Sequence, residues 1–260
     1  MSVRLRILPL VVLSLALSGC GVFGDKPDVT REWPVQRLYG EAKAALDGGD
    51  YETAIDYYEK LESRFPFGRY AEQAQIDIAY AYWKYEENAS AIAAAERFIK
   101  LHPRHPNVDY AYYLKGLVNF EQGASFVDRI LPRDRSRRDP GAVRQAFDDF
   151  SELVTRFPDS KYAEDARQRM VYLKNLLAQH EVHVADYYMR RGAYVAAANR
   201  ARQVVENYQG TPAVPEALVL MAKAYRLMDL DDLSADALRV LELNYPDHPG
   251  IAEIAAIKKN

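Results

Sequence analysis

Cysteine is almost absent from this chain: of 260 residues only Cys20 is one. That excludes a disulfide within the chain and leaves no thiol nucleophile further along it. The N-terminal apolar run, Ile7 to Gly19, is 13 residues long, short of the ~20 a membrane-spanning helix needs. Sustained alternation of β-branched residues, the mark of strands, is missing. Neither sign of charge is in excess: 34 basic residues against 37 acidic give a net charge of −3. No whole-chain argument for nucleic acid is therefore available. Phosphate-loop, G-x-S-x-G and H-E-x-x-H patterns are absent as well, so the common catalytic motifs give no lead.

What is present begins at the N-terminus. Arg4 and Arg6 precede an apolar stretch from Ile7 to Ala16, and the small pair Ser18-Gly19 follows. This is the organisation of a secretory signal, removed from the mature protein. Leu17-Ser18-Gly19-Cys20 resembles the lipobox of bacterial lipoproteins; the alternative is an ordinary signal with a chance cysteine. The resemblance implies cleavage after residue 19, covalent lipid on Cys20, and an anchor of several acyl chains, which holds stably where one chain does not. Gly21 stands where lipoproteins retained in the inner membrane commonly carry aspartate, so the expected location is the periplasmic face of the outer membrane. Gly21 to Arg31 reads as a flexible stretch within a lipid-anchored tether spanning residues 20–33.

Beyond the tether, small residues recur at a fixed spacing. Ala54, Ala91, Ala146 and Ser234 each precede a proline by 12 residues: Pro66, Pro103, Pro158 and Pro246. Tyr58, Ala95, Phe150 and Leu238 follow the small residues by four, and Ala42, Ala79, Gly116 and Ala222 occupy the helix before. This is the skeleton of a tetratricopeptide repeat, a helix–turn–helix of about 34 residues. Small residues let antiparallel helices approach closely, Gly48-Gly49-Asp50 breaks one helix and caps the next, and each proline closes a unit. The expected fold is an all-α superhelix of about five repeats: 34–67, 71–105, 109–159, 179–211 and 214–247. An N-terminal half at 34–160 carries an insertion at 123–140. An extra helix at 162–179 opens the C-terminal half at 161–260. Repeat four lacks the proline, and Thr211-Pro212 is expected to stop it. An echo supports this register: the ten residues from Phe65 to Ala74 match Phe157 to Ala166, with Tyr70 opposite Tyr162.

Stacked repeats line a concave face with their first helices. The register places Tyr39, Lys43, Ile76, Tyr80, Trp83, Tyr110, Tyr113 and Phe120 there. The six aromatic residues among them suit an extended peptide with aromatic or apolar side chains, or are core between repeats. The insertion ends in Leu131 to Pro140, with four arginines in ten residues. It is either a solvated loop or a segment folded against the groove or a partner's acidic surface. His180 and His183 stand three apart on a helix but lack a ligand set for a metal. His102, His105 and His248 sit at repeat boundaries as turn residues. Asp148-Asp149 and Asp231-Asp232 are sequence neighbours that point in different directions. No catalytic residue, metal or cofactor apart from the lipid is expected, and the chain reads as a non-enzyme.

Together the lipobox, the repeats and four strings carry a family likeness. The strings are Arg64-Phe65-Pro66-Phe67-Gly68, Asp77-Ile78-Ala79-Tyr80-Ala81-Tyr82, Asn107-Val108-Asp109-Tyr110 and Asp134-Arg135-Ser136-Arg137-Arg138-Asp139-Pro140. They resemble the BamD (ComL/YfiO) family of outer-membrane assembly lipoproteins. The resemblance implies a scaffold of the β-barrel assembly machine beside other Bam lipoproteins. Its C-terminal repeats would bind the BamA POTRA domains, and its N-terminal groove would take unfolded outer-membrane protein segments. The Asn199-Arg200 pair matches a family pair whose arginine contacts BamA, which assigns that role to Arg200. Gln209 and the Lys258-Lys259-Asn260 tail depart from the family pattern. A pilotin-like lipoprotein for secretin or pilus assembly shares the architecture. A cell-wall hydrolase would need a catalytic domain for which no residues remain.

Overall fold

A computed structural model describes residues 28–122 and 134–257. The signal segment, Cys20, the tether up to residue 27, positions 123–133 of the insertion and the tail at 258–260 lie outside the described residues.

Among the described residues no strand forms, and helices pair in chain order. The first three pairs are α1 (Val35–Asp47) with α2 (Tyr51–Arg64), α3 (Arg69–Lys84) with α4 (Asn88–Leu101), and α5 (Val108–Gln122) with α6 (Gly141–Arg156). Then come α7 (Ala163–Arg190) with α8 (Tyr194–Asn207), α9 (Val214–Leu227) with α10 (Asp231–Asn244), and a short closing helix α11 (Gly250–Ala255). Each helix packs on its predecessor and successor, as a solenoid requires.

The turn within a repeat is one geometry used four times. Gly49, Glu86, Gly192 and Asp229 take left-handed backbone, with φ of 80°, 65°, 73° and 59°. The next residue, Asp50, Glu87, Ala193 or Leu230, starts the second helix with φ between −83° and −92°. Asp50 caps α2 as expected, its carboxylate accepting from the Thr53 N–H at 3.2 Å. Repeats close just as uniformly: Phe65, His102, Phe157, Tyr208 and Tyr245 each donate their N–H to the carbonyl four residues back.

Proline follows four of these closing residues, but Gln209 follows Tyr208, and α8 still ends at Asn207. The stop expected at Thr211-Pro212 therefore falls four residues earlier. Gly210, at φ 77°, makes the turn, and the Thr211 hydroxyl donates to the Tyr208 carbonyl at 2.8 Å. The extra helix expected at 162–179 is not separate: it runs without a break into the first helix of repeat four, as α7 of 28 residues. Neither glycine nor proline occurs from Ala163 to Arg190, so nothing stops it.

Small residues sit where helices cross. Ala42, Ala54, Ala79, Ala91, Ala146 and Ala222 have no exposed surface. A Cβ on Gly116 would stand 2.5 Å from the Phe150 ring, so only glycine admits that ring. The Ser234 hydroxyl is buried and donates to the Ala222 carbonyl at 2.9 Å. One core runs from Leu38 through the first three repeats to Leu173 and Leu177 on α7; a second starts on the same helix at Ala178, Val182 and Ala185. The long helix thus belongs to both cores.

The last part of the tether is pinned, in contrast to the flexibility its composition suggests. Arg64 Nη1 donates to the Thr30 carbonyl at 2.7 Å and Nη2 pairs with Asp28. Thr30 is fully buried, and Trp33 packs edge-on against Tyr57 with centroids 5.7 Å apart.

Candidate peptide-binding groove

The candidate face is made by α1, α3, α5 and the first half of α7. Its aromatic residues are tied from one repeat to the next. The Tyr39 hydroxyl on α1 donates to Asp77 on α3 at 2.9 Å. The Trp83 indole on α3 donates to Glu121 on α5 at 3.1 Å. The Tyr113 hydroxyl on α5 donates to Asp165 on α7 at 2.6 Å. Three successive junctions therefore use one device, an aromatic donor on one first helix and a carboxylate on the next.

Ring contacts extend the ladder. Tyr39 lies 5.4 Å from Tyr70, and Tyr113 stacks on Tyr162 at 4.7 Å and 15°. Tyr70 and Tyr162 are the equivalent positions of the sequence echo, so each inserts a ring at the start of a repeat. Tyr110 also meets Tyr162, at 5.4 Å. Tyr80 and Trp83 meet edge-on at 5.6 Å. Phe120 lies against Tyr172, with the guanidinium of Arg169 4.8 Å from its centroid.

All six expected aromatic residues are half-buried and pack on the first core. They form a row along successive helices rather than one pocket. Each packs on the core, which bears out the core reading, and the row's remaining exposed ring surface is the candidate binding face. Ile76 does not belong there: it is 2% exposed and part of the core. The face of α3 is centred one residue further round, on Gln73, Asp77 and Tyr80. Lys43 pairs with Asp47 on its own helix at 2.7 Å.

Asp77 accepts from three donors at once: Tyr39, Tyr58 at 3.3 Å and Gln73 at 2.9 Å. Burial nevertheless raises its pKa above the ordinary value, against the effect of those donors. Burial, then the nearby Asp77 carboxylate, pushes the Tyr39 hydroxyl far up. Tyr113 is pushed up to about 12 by burial and by its bond to Asp165. These tyrosines remain neutral donors at physiological pH. The sequence assigns no acceptor role to Asp77, Glu121 or Asp165: Asp77 stands only within a family string, and Tyr162 and Asp165 only within the echo.

The described part of the insertion folds back onto α7. A single 3-10 turn, Arg135–Arg137, follows Asp134, which caps it through the Ser136 N–H at 3.1 Å. His180 Nδ1 meets the Ser136 carbonyl at 2.8 Å, and His183 Nε2 meets Asp134 at 3.0 Å. Arg135 reaches the Tyr172 hydroxyl and the Phe120 carbonyl at 3.3 and 3.4 Å. The two histidines therefore clasp the insertion, which reaches the end of the aromatic row. Between them lies a cavity of about 260 Å³ lined by Arg137, His180, His183, Val184, Tyr187 and Tyr188. Elsewhere His102 bonds Gln75 at 2.8 Å, and His248 accepts from the Gly250 N–H at 3.2 Å. Asp149 is buried and accepts from Asn119 at 2.7 Å, while its neighbour Asp148 is exposed.

Arg200, on α8, sits apart from the row. Its guanidinium meets the buried carboxylate of Glu181 at 3.0 Å, and 43% of its side chain stays exposed. One nitrogen of the fork is thus committed within the chain, while part of the side chain stays open to solvent.

Paired helices stacked in sequence, with a bordering row of fixed rings, define a tetratricopeptide-repeat protein. A family described as outer membrane lipoprotein, YfiO, matches residues 31–241. Outer membrane protein assembly factor BamD of Neisseria gonorrhoeae is 51% identical over 247 residues, 94% of this chain and 92% of that one. The protein of the same name in Vibrio cholerae is 41% identical, covering 90% of this chain and 96% of its own. Among solved structures, a thermophilic TPR protein in Thermus thermophilus covers 86% of this chain and 98% of its own at 14% identity and a TM-score of 0.36. The chain belongs to the YfiO family of outer membrane lipoproteins. Among the described residues, no helix is long and apolar enough to cross a membrane.

Proposed function

We propose that this chain is a non-enzymatic scaffold of the outer-membrane β-barrel assembly machine, held on the periplasmic face by lipid at Cys20. The C-terminal repeats bind the POTRA domains of BamA, with Arg200 offering a fork to a carboxylate. The N-terminal groove takes unfolded segments of outer-membrane proteins, and other Bam lipoproteins share the assembly. No nucleic acid, metal or diffusible cofactor enters this reading.

The aromatic ladder is the observation that carries the groove assignment. Fixed rings lose little freedom on binding, so they can hold apolar side chains of many sequences at low entropic cost. Carboxylates that hold the rings also supply acceptors for an extended backbone's N–H groups.

Affinity capture of the lipidated protein from outer membranes tests the assignment. Recovery of a barrel protein with tandem periplasmic domains supports it; recovery of a secretin instead overturns it in favour of the pilotin-like reading.

A further inference from the structure

Phe67 is the most exposed large apolar side chain of the described residues, at 90%. It lies in the turn that closes the first repeat, two residues after Phe65. The corresponding positions after the other four closing residues are Arg104, Asp159, Gly210 and Asp247. The turn itself therefore does not call for an apolar residue, and the phenylalanine answers to something outside the chain.

The pinned end of the tether, a strap from Asp28 to Thr30 held by Arg64, shows what lies nearby. Asp28 accepts from the Thr30 hydroxyl at 2.7 Å and the Thr30 N–H at 3.0 Å. It is bound by Arg64 and approached by Lys60 at 3.7 Å. Arg64 stands only three residues before Phe67. The first described residue, Asp28, is therefore held by the last turn of the helix that leads into that turn. Eight peptide steps separate Cys20 from Asp28 and span at most about 29 Å when fully stretched. An anchor at Cys20 on so short a leash keeps this edge next to the bilayer.

The same edge has interfacial chemistry. Val29 is 73% exposed. Arg37 lies 4.3 Å from the Trp33 centroid, and Arg69 lies 4.8 Å from that of Tyr70. Arginine beside an aromatic ring is the pairing favoured at headgroup level, where one end of a side chain is apolar and the other wet. Asp28 and Asp56 are held by Lys60 and Arg64, so these acids do not face the lipid as free charges.

We propose that the first repeat rests on the membrane surface through this edge. Val29 and Phe67 enter the headgroup layer, and the Asp28–Arg64 strap fixes the orientation. The proposal rests on lipidation at Cys20, which its test reads separately.

The full lipidated chain carries an environment-sensitive fluorophore at Phe67→Cys or, as control, at Asp159→Cys in the equivalent turn. Vesicles of phosphatidylethanolamine and phosphatidylglycerol bear a headgroup-level spin label, and flotation and the acyl mass on Cys20 report the anchor. Quenching at position 67 is expected to exceed that at 159 several-fold. Arg64→Gln should reduce it at least twofold while the protein still floats. A floating, acylated chain with equal quenching at both positions overturns the membrane contact. Shielding of position 67 only on addition of a purified partner protein overturns it in favour of a protein contact. Quenching indifferent to Arg64→Gln overturns the strap. A chain that neither floats nor carries acyl mass overturns the anchor itself.

Discussion

The Tyr113 hydroxyl and the Asp165 carboxylate, 2.6 Å apart, join repeat three to the long helix that both cores share. Arg169 completes the arrangement by donating to the same carboxylate at 2.5 Å. Burial works against the Asp165 charge, but these two donors hold its pKa below the ordinary value.

Tyr113→Phe keeps the ring on Tyr162 and removes only the hydroxyl. Loss of one hydrogen bond to a charged group destabilises by about 1.5–3 kcal/mol. Urea unfolding should show the unfolding free energy fall by that amount, through a lower midpoint with the slope unchanged.

Gly116→Ala should cost more than one methyl suggests. Its Cβ would lie 2.5 Å from the Phe150 ring, which has no exposed surface into which to move. Overpacking of this kind costs about 1–3 kcal/mol. Gly40→Ala, with nothing within 4 Å of the added carbon, should instead be neutral or stabilising.

Glu86 holds a left-handed turn that repeats one and four give to glycine. Relief of that backbone strain in Glu86→Gly should stabilise the chain by about 1 kcal/mol. A thermal melt with raised midpoint confirms it; an unchanged or lowered midpoint shows that Glu86 contributes contacts of its own.

Much of this fold is legible from the chain alone, because helix crossing tolerates only small residues. Ala54 and Pro66, like Ala146 and Pro158, therefore reveal their repeats by spacing. The echo likewise gives Tyr70 and Tyr162. Facing residues are harder: Ile76 and Asp77 are neighbours, and 100° of helical rotation decides which enters the core. Acceptors such as Asp77 and Asp165 cannot be read at all without the stacking, since their donors lie 38 and 52 residues earlier. The clasp of His180 and His183 on the insertion escapes for the same reason. Continuity of α7 was legible in its lack of glycine and proline, but the repeat period argued for a break.

Acid should loosen the insertion. Hydrogen bonds from Ser136, then Arg137 and His183, draw the pKa of Asp134 down to about 2, although desolvation opposes them. A carboxylate with a lowered folded-state pKa contributes stability above its ordinary value of 3.8, and that contribution is lost as pH falls toward 2. The protection factor of the Ser136 amide, corrected for the intrinsic rate at each pH, should fall over this interval. The group is 46% exposed, so the effect is local rather than global.

Arg200 needs a paired test, because Glu181 is buried beneath it. Arg200→Gln alone strands that carboxylate, at about 1–3 kcal/mol. Arg200→Gln with Glu181→Gln should recover most of the stability. Capture of BamA should stay reduced in the double variant if the arginine makes the contact; recovered capture would assign it a structural role only.

The groove is tested most directly by photocrosslinking from single positions in the lipidated chain, with an unfolded outer-membrane protein added. Tyr80 and Trp83 should yield adducts that an excess of the same unfolded protein competes away, while Leu101 and Leu243, exposed on second helices, should yield few. Adducts distributed equally over all four positions, or confined to the second helices, would contradict a groove that receives unfolded chains.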